Sequence, residues 1–148
     1  MTDPAPLPAS AEAGYGPILK RLGFDQGQVV QEFGWDDDVD EDLRVAVEDL
    51  VQSPIEDEDW TGGAEVVLLW WREEDGDLID ALVDLVGVLE DGGFVVLLSP
   101  RPGSPGALEP SDVDEAAATA GLHSSGLLAA GDLWRATRLV SPRGEHRR

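Results

Sequence analysis

Apolar side chains recur along this chain in two rhythms, short unbroken runs and helix-spaced faces, and their order predicts an alternation of strands and helices. Pro17 at a first helical position and Gly23 just past the end predict a short helix over residues 17–22. A first strand is expected at 28–33, where Val29, Val30 and Phe33 lie between the breakers Gly27 and Gly34. Asp38 stands three residues before Glu41, as in a capping box, and Leu43, Ala46, Val47, Leu50 and Val51 follow at helical spacing, so a helix is read over 40–52. Residues 66–71 are apolar without interruption. Such a run needs cover on both faces and marks a central strand of a parallel sheet, with Trp70 and Trp71 pointing into opposite helical layers unless Trp71 lies at the strand's open end.

The next face is made by Leu78, Leu82, Leu85, Val86 and Leu89, with Asp77, Asp80, Asp84 and Asp91 opposite. Gly92 and Gly93 read as the end of that helix, and 94–98 as a second buried strand. Strand, helix and strand then form a crossover of the usual right hand. Ser111 and Asp114 predict the start of a helix reaching Ala120, with Gly121 beyond its end. Segments 124–129 and 133–140 flank Ala130, Gly131 and Asp132, which reads as a closing hairpin at the sheet edge. The expected fold class is therefore α/β, a three-layer Rossmann-like sheet, mostly parallel, with an antiparallel C-terminal edge hairpin.

At 148 residues the chain is long enough for one core. We expect a disordered tail over 1–13, marked by Pro4, Pro6 and Pro8, a single domain over 14–141, and a basic disordered tail over 142–148. The lack of cysteine excludes disulfides, thiolate metal sites and cysteine nucleophiles and fits a reducing compartment, so a cytoplasmic setting is expected. No apolar run approaches the roughly 18 to 20 residues of a bilayer span, and residues 1–13 lack the basic start and apolar core of a signal, so no membrane association is expected.

The formal charge is −21, from 10 basic and 31 acidic side chains, and it repels nucleic acid. It is also uneven. Residues 31–91 hold 22 acids and two bases, whereas 134–148 hold five arginines and one glutamate. An acidic body of this kind favours solubility and attracts a partner protein with a basic surface, with a merely solvated face as the alternative reading.

Most chemistry-bearing patterns fail on their register. From Asp36, an EF-hand loop would need glycine at Glu41 and a bidentate glutamate at Val47; from Asp38, those positions are Leu43 and Asp49. His123 and His146 have no second nitrogen ligand nearby, so no metal is expected. Ser124 and Ser125 adjoin His123 too closely for a nucleophile and base, and no G-x-S-x-G is present. The sole lysine, Lys20, follows Leu19 and not a phosphate-loop glycine. After the first strand comes Gly34 beside the bulky Trp35 and then Asp36, where a dinucleotide or methyl-donor loop wants several glycines. Open α/β sheets place ligands at the carboxyl ends of their strands, and residues 72–77 occupy that position after the second strand. The candidate ligand-binding residues are accordingly Gly34, Trp35, Asp36, Arg72 and Asp75, with Asp75 or Asp77 as a helix cap the structural alternative.

The segment 89–97, the motif Ala120-Gly121-Leu122 and the strand pair holding Trp134 resemble the C-terminal half of class I S-adenosylmethionine-dependent methyltransferases. A second resemblance covers about 22–140. Its motifs are Leu22-Gly23 with Gly27; Val29-Val30-Gln31-Glu32 with Gly34-Trp35-Asp36; Leu68-Leu69-Trp70-Trp71-Arg72 with Asp75-Gly76-Asp77-Leu78; Thr119-Ala120-Gly121-Leu122; and Trp134 with Arg138-Leu139-Val140. By these the chain resembles an actinobacterial family of small acidic proteins, a domain of unknown function with a degenerate methyltransferase-like Rossmann fold. That resemblance implies the fold and a bacterial cytoplasmic setting, and it carries no catalytic residue.

Two functional readings follow. The first is a non-catalytic protein-interaction or regulatory module that kept the sheet, lost the cofactor loop and uses no cofactor. The alternative is an S-adenosylmethionine-dependent methyltransferase, or another small-ligand binder, with an atypical site at the five candidate residues.

Overall fold

A computed structural model describes residues 6–141 of the chain. Its elements in order are α1 (Pro6–Leu22), β1 (Val30–Phe33), α2 (Glu41–Val51), β2 (Ala64–Trp70), a 3₁₀ turn (Glu73–Asp75), α3 (Leu78–Val86), β3 (Leu89–Pro100), α4 (Pro110–Thr119), β4 (His123–Ala130) and β5 (Trp134–Val140). The strands form one sheet in the order β1-β2-β3-β5-β4. β1, β2 and β3 are parallel neighbours, the arrangement that the apolar runs of β2 and β3 predict for those two, with Val30 beside Val66 and Val66 beside Phe94. β5 joins β3 antiparallel, and β4 closes the sheet as the outer arm of the expected hairpin.

Period-two alternation divides the core between the two faces. Val66, Leu68 and Trp70 face α1 and α2, packing with Leu19, Leu22, Leu43 and Val47. Val67 and Leu69 face α3 and α4, packing with Leu82, Leu85, Val113 and Ala117. The two tryptophans separate as expected, Trp70 into the first layer and Trp71 against the second.

This division has a topological consequence. β1, β2 and β3 run parallel and step in one direction, yet α2 and α3 cover opposite faces, so the two crossovers have opposite hands. In the doubly wound order 3-2-1-4-5-6 the chain turns back at its first strand, which places the first helices on the face opposite the later ones. Here that helix placement persists while the strands beyond β1 are absent among the described residues, so the β1–α2–β2 connection carries the rarer hand. Only a single parallel bridge, Gln31 to Glu56, stands where a second strand would run.

Several boundaries differ from those read off the sequence. α1 takes in residues 6–16 ahead of the expected start at Pro17, including part of the expected N-terminal tail; Ala9, Ala11 and Ala13 supply helix propensity that the prolines obscured. Residues 1–5 and the expected basic tail at 142–148 lie outside the described residues. α2 is capped by Asp40, whose side chain accepts from Leu43 N, and not by Asp38. α3 stops at Val86, and Gly92 and Gly93 lie inside β3 instead of ending a helix. Gly93 has a local reason to be glycine: a Cβ there would sit 2.7 Å from Glu65 O on β2, beside a register shift between Ala64 and Val66.

Candidate functional site

The carboxyl ends of β1 and β2 meet at Gly34. Its φ is +79°, and a Cβ there would lie 2.1 Å from Trp70 O, so only glycine lets the loop after β1 pass this close to β2. Two residues beyond Trp70, Arg72 turns its side chain back under that loop and is 7% exposed. Nη1 donates to Gly34 O at 2.8 Å and to Asp75 Oδ2 at 3.1 Å, and Nε donates to Asp38 Oδ2 at 3.1 Å. Nη2 completes a two-pronged pair with Asp38 through Oδ1. The backbone N–H of Arg72 donates to Asp75 Oδ2 at 2.9 Å, and its guanidinium carbon lies 5.4 Å from the ring centroid of Trp134. Burial works against the charge of Arg72, but the hydrogen bonds to Asp38 and Asp75 outweigh it and raise the pKa above the ordinary arginine value.

A second buried pair lies one strand across. Glu32 projects from β1 to the same face as Val30 and is 6% exposed. Arg44 of α2 grips it through Nε to Oε2 at 2.7 Å and Nη2 to Oε1 at 2.9 Å, and Trp70 Nε1 donates to Oε2 at 2.8 Å. The bonds to Glu32 hold the Arg44 guanidinium above its ordinary pKa against the effect of burial. Trp70 in turn meets Trp134 edge-on, with centroids 4.9 Å apart.

Gly34, Arg72 and Asp75 are therefore brought into one cluster. Trp35 and Asp36 share the loop but not the cluster. Trp35 is 49% exposed and borders a recess of about 450 Å³ with Glu32, Arg44 and Glu58. The Asp36 carboxylate accepts from Asp37 N at 2.7 Å within its own turn. Asp38, Glu32, Arg44 and Trp134 were not among the expected site residues. Glu32 carried a usable signal, because a carboxylate in phase with Val30 on the core side of a strand requires a buried cation. Asp38 carried none, since its partner lies 34 positions away.

The two donors nearest the strand ends, the Arg72 guanidinium and Gly34 N, are engaged within the protein. Arg72 directs its donors at Asp38, Asp75 and main-chain oxygens, and Gly34 N donates to Glu58 Oε2 at 3.0 Å. In dinucleotide-binding sheets an acid about 20 residues beyond the glycine loop reaches the ligand's ribose; Glu58 instead holds the loop's own backbone. With one glycine beside a bulky tryptophan, and with Gly34 N and the Arg72 guanidinium engaged internally, these residues do not fit an adenosyl cofactor, whose loop wants several glycines for close backbone approach. Among the described residues, no group of three or more His, Asp or Glu is arranged to hold a metal, and no helix is long and apolar enough to cross a membrane.

Among the described residues, sheet order and helix placement define a five-stranded sheet with a methyltransferase-like Rossmann fold. Its solved structural neighbours are of that class. A SAM-dependent methyltransferase from Aquifex aeolicus superposes with a TM-score of 0.58 at 13% identity, covering 93% of each chain. The mitomycin 7-O-methyltransferase MmcR superposes equally well, with a TM-score of 0.58 at 14% identity, over 90% of this chain but only 54% of its own length. At these identities the likeness concerns the fold alone. The chain belongs to the DUF3052 family, described as proteins of unknown function, whose pattern matches residues 19–143. Uncharacterized proteins of Mycobacterium tuberculosis (Rv2239c) and Mycobacterium bovis (Mb2263c) are each 43% identical to it over 124 residues, 84% of this chain and 78% of theirs.

Proposed function

We propose that this protein is a non-catalytic interaction or regulatory module of the cytoplasm, which kept the methyltransferase-like sheet as a scaffold and binds a protein with a basic surface. One observation carries the reading: the strand-end position where this fold class holds a ligand is closed by the protein's own ion pairs, Arg72 with Asp38 and Asp75. Rigid internal pairing there supports a scaffold role and leaves the acidic exterior as the interacting part. Asp80 and Asp84 are exposed on α3, and Asp77 caps its first turn by accepting from Ile79 N at 2.9 Å.

Replacing Asp77, Asp80 and Asp84 by Asn tests this. Asparagine caps a helix about as well as aspartate, so the fold is expected to survive, whereas an electrostatically steered partner is captured more slowly and is lost as salt rises. Pull-downs from the native cell extract at low and high salt read the difference. Partners that withstand both high salt and the triple substitution would contradict the acidic face as the interface.

The alternative, an S-adenosylmethionine-dependent methyltransferase or other small-ligand binder, is favoured by the class of the structural neighbours. It requires the Arg72–Asp38 pair to open so that Gly34, Trp35, Asp36, Arg72 and Asp75 can turn to a ligand.

A further inference from the structure

The two edges of the sheet are finished in opposite ways. At β1 the segment around Glu56 lies against the strand, with Glu32 N donating to Glu56 O at 2.9 Å and Glu56 N to Val30 O at 2.8 Å. Acidic side chains at Glu56, Asp57, Glu58 and Asp59 surround that contact. β4 pairs with β5 on one side, and its other side ends the sheet. Proteins blunt such an edge with charge, proline or a bulge. β4 has neither charge nor proline, and its one register shift, between Ser124 and Gly126, leaves residues 126–130 in regular register.

The lack of charge is exceptional in this molecule. Residues 116–131 contain no Asp, Glu, Lys or Arg, although the chain carries 31 acidic and 10 basic side chains. Leu127 in the middle of β4 is 54% exposed and Leu133 just beyond it 69%, the two most exposed large apolar side chains among the described residues. Within an acidic protein, an open, neutral, apolar strand is suited to one occupant above others. A foreign basic strand would gain from carboxylates on the edge, and there are none. A strand that pairs with its own copy sets any charge at its centre against itself, and a neutral strand avoids that repulsion.

We propose that the chain forms a symmetric homodimer by antiparallel pairing of β4 with β4 of a second copy, centred on Leu127. A two-fold axis normal to the sheet keeps the faces in phase only when a residue meets its own copy at the centre. Centring on Leu127 covers the exposed side chain with its equivalent and sets Gly126 opposite Leu128 and Ser125 opposite Ala129. The two five-stranded sheets become one, and the open edge disappears. Because each copy carries a charge of −21, the dimer strengthens as salt screens their repulsion, the reverse of the salt dependence expected for a basic partner.

Light scattering on the eluting full-length protein, at high micromolar concentration and across a salt series, tests the pairing with Leu127→Glu, Leu127→Lys and an equal mixture of the two. The parent is expected at twice the chain mass of 15.8 kDa, increasingly so with salt. Each variant alone is expected at the monomer mass, and the mixture returns to the dimer because opposite charges now meet at the centre. A parent that is monomeric at every salt concentration, a dimer that persists in Leu127→Glu, or a mixture that stays monomeric would each overturn the proposal.

Discussion

At the scale of single residues the strand-end cluster depends on Gly34. Replacing it with alanine puts a methyl group 2.1 Å from Trp70 O at a φ of +79°, and neither backbone can move without breaking the bonds to Arg72 and Glu58. Gly34→Ala is expected to destabilise the fold by about 2 to 4 kcal/mol, measured by urea unfolding. A change within a few tenths of a kcal/mol would show that the loop is not held there. Tyr15 provides a separate, pH-dependent check. Its phenol is half-buried and donates to Asp40, and burial, followed by that hydrogen bond and the nearby carboxylates, raises its pKa above the ordinary 10.0. The folded state thus favours the protonated phenol, so its contribution is complete below pH 10.0 and is lost as pH rises above it. The stability difference between the parent and Tyr15→Phe is expected to be flat up to that point and to shrink at higher pH; a flat difference throughout would mean the phenol titrates normally. Neither site was fully legible in the sequence. Gly34, Arg72 and Asp75 could be chosen because strand ends are where such sheets place ligands, but that Arg72 turns inward to Asp38 is a tertiary fact with no local signature.

The elements themselves were more legible, and where they were not, a competing local signal explains it. Unbroken apolar runs located β2 and β3 because a strand covered on both faces has no polar positions to disguise it. The hairpin was visible from its glycine and aspartate turn. Gly92 and Gly93 misled because paired glycines after a helical face look like a helix stop, whereas here both lie inside β3 and Gly93 lets it run close to β2. Pro17 misled in the same manner. A proline at a first helical position costs little, while one inside a helix removes a hydrogen bond and clashes with the preceding turn, a loss of about 3 kcal/mol. Because α1 runs from Pro6 through Pro17 to Leu22, Pro17→Ala is expected to raise both the melting temperature and the helical circular dichroism signal. An unchanged or lower signal would place the start of the helix at Pro17, as the sequence alone suggests.

Across the whole molecule, the fold and the closed strand ends have one origin. A doubly wound sheet places its ligand where strand order reverses, and this sheet ends at β1, the strand at which the reversal would occur. The connection after β1 returns at once to β2, and residues 53–63 carry the acids that close the edge and hold the loop at Gly34. What remains has the helix layers of a methyltransferase and an internal salt-bridge cluster at the strand ends. Charge was readable from composition and the sheet from hydrophobic pattern; that the cluster is self-contained could only come from the coordinates of side chains far apart in the chain. The most direct test is isothermal titration of the full-length protein with S-adenosylmethionine. The account predicts no saturable heat up to millimolar ligand and no rise in melting temperature. Micromolar affinity would contradict it, with the fold stabilised by about 2.7 kcal/mol at a hundred times the dissociation constant.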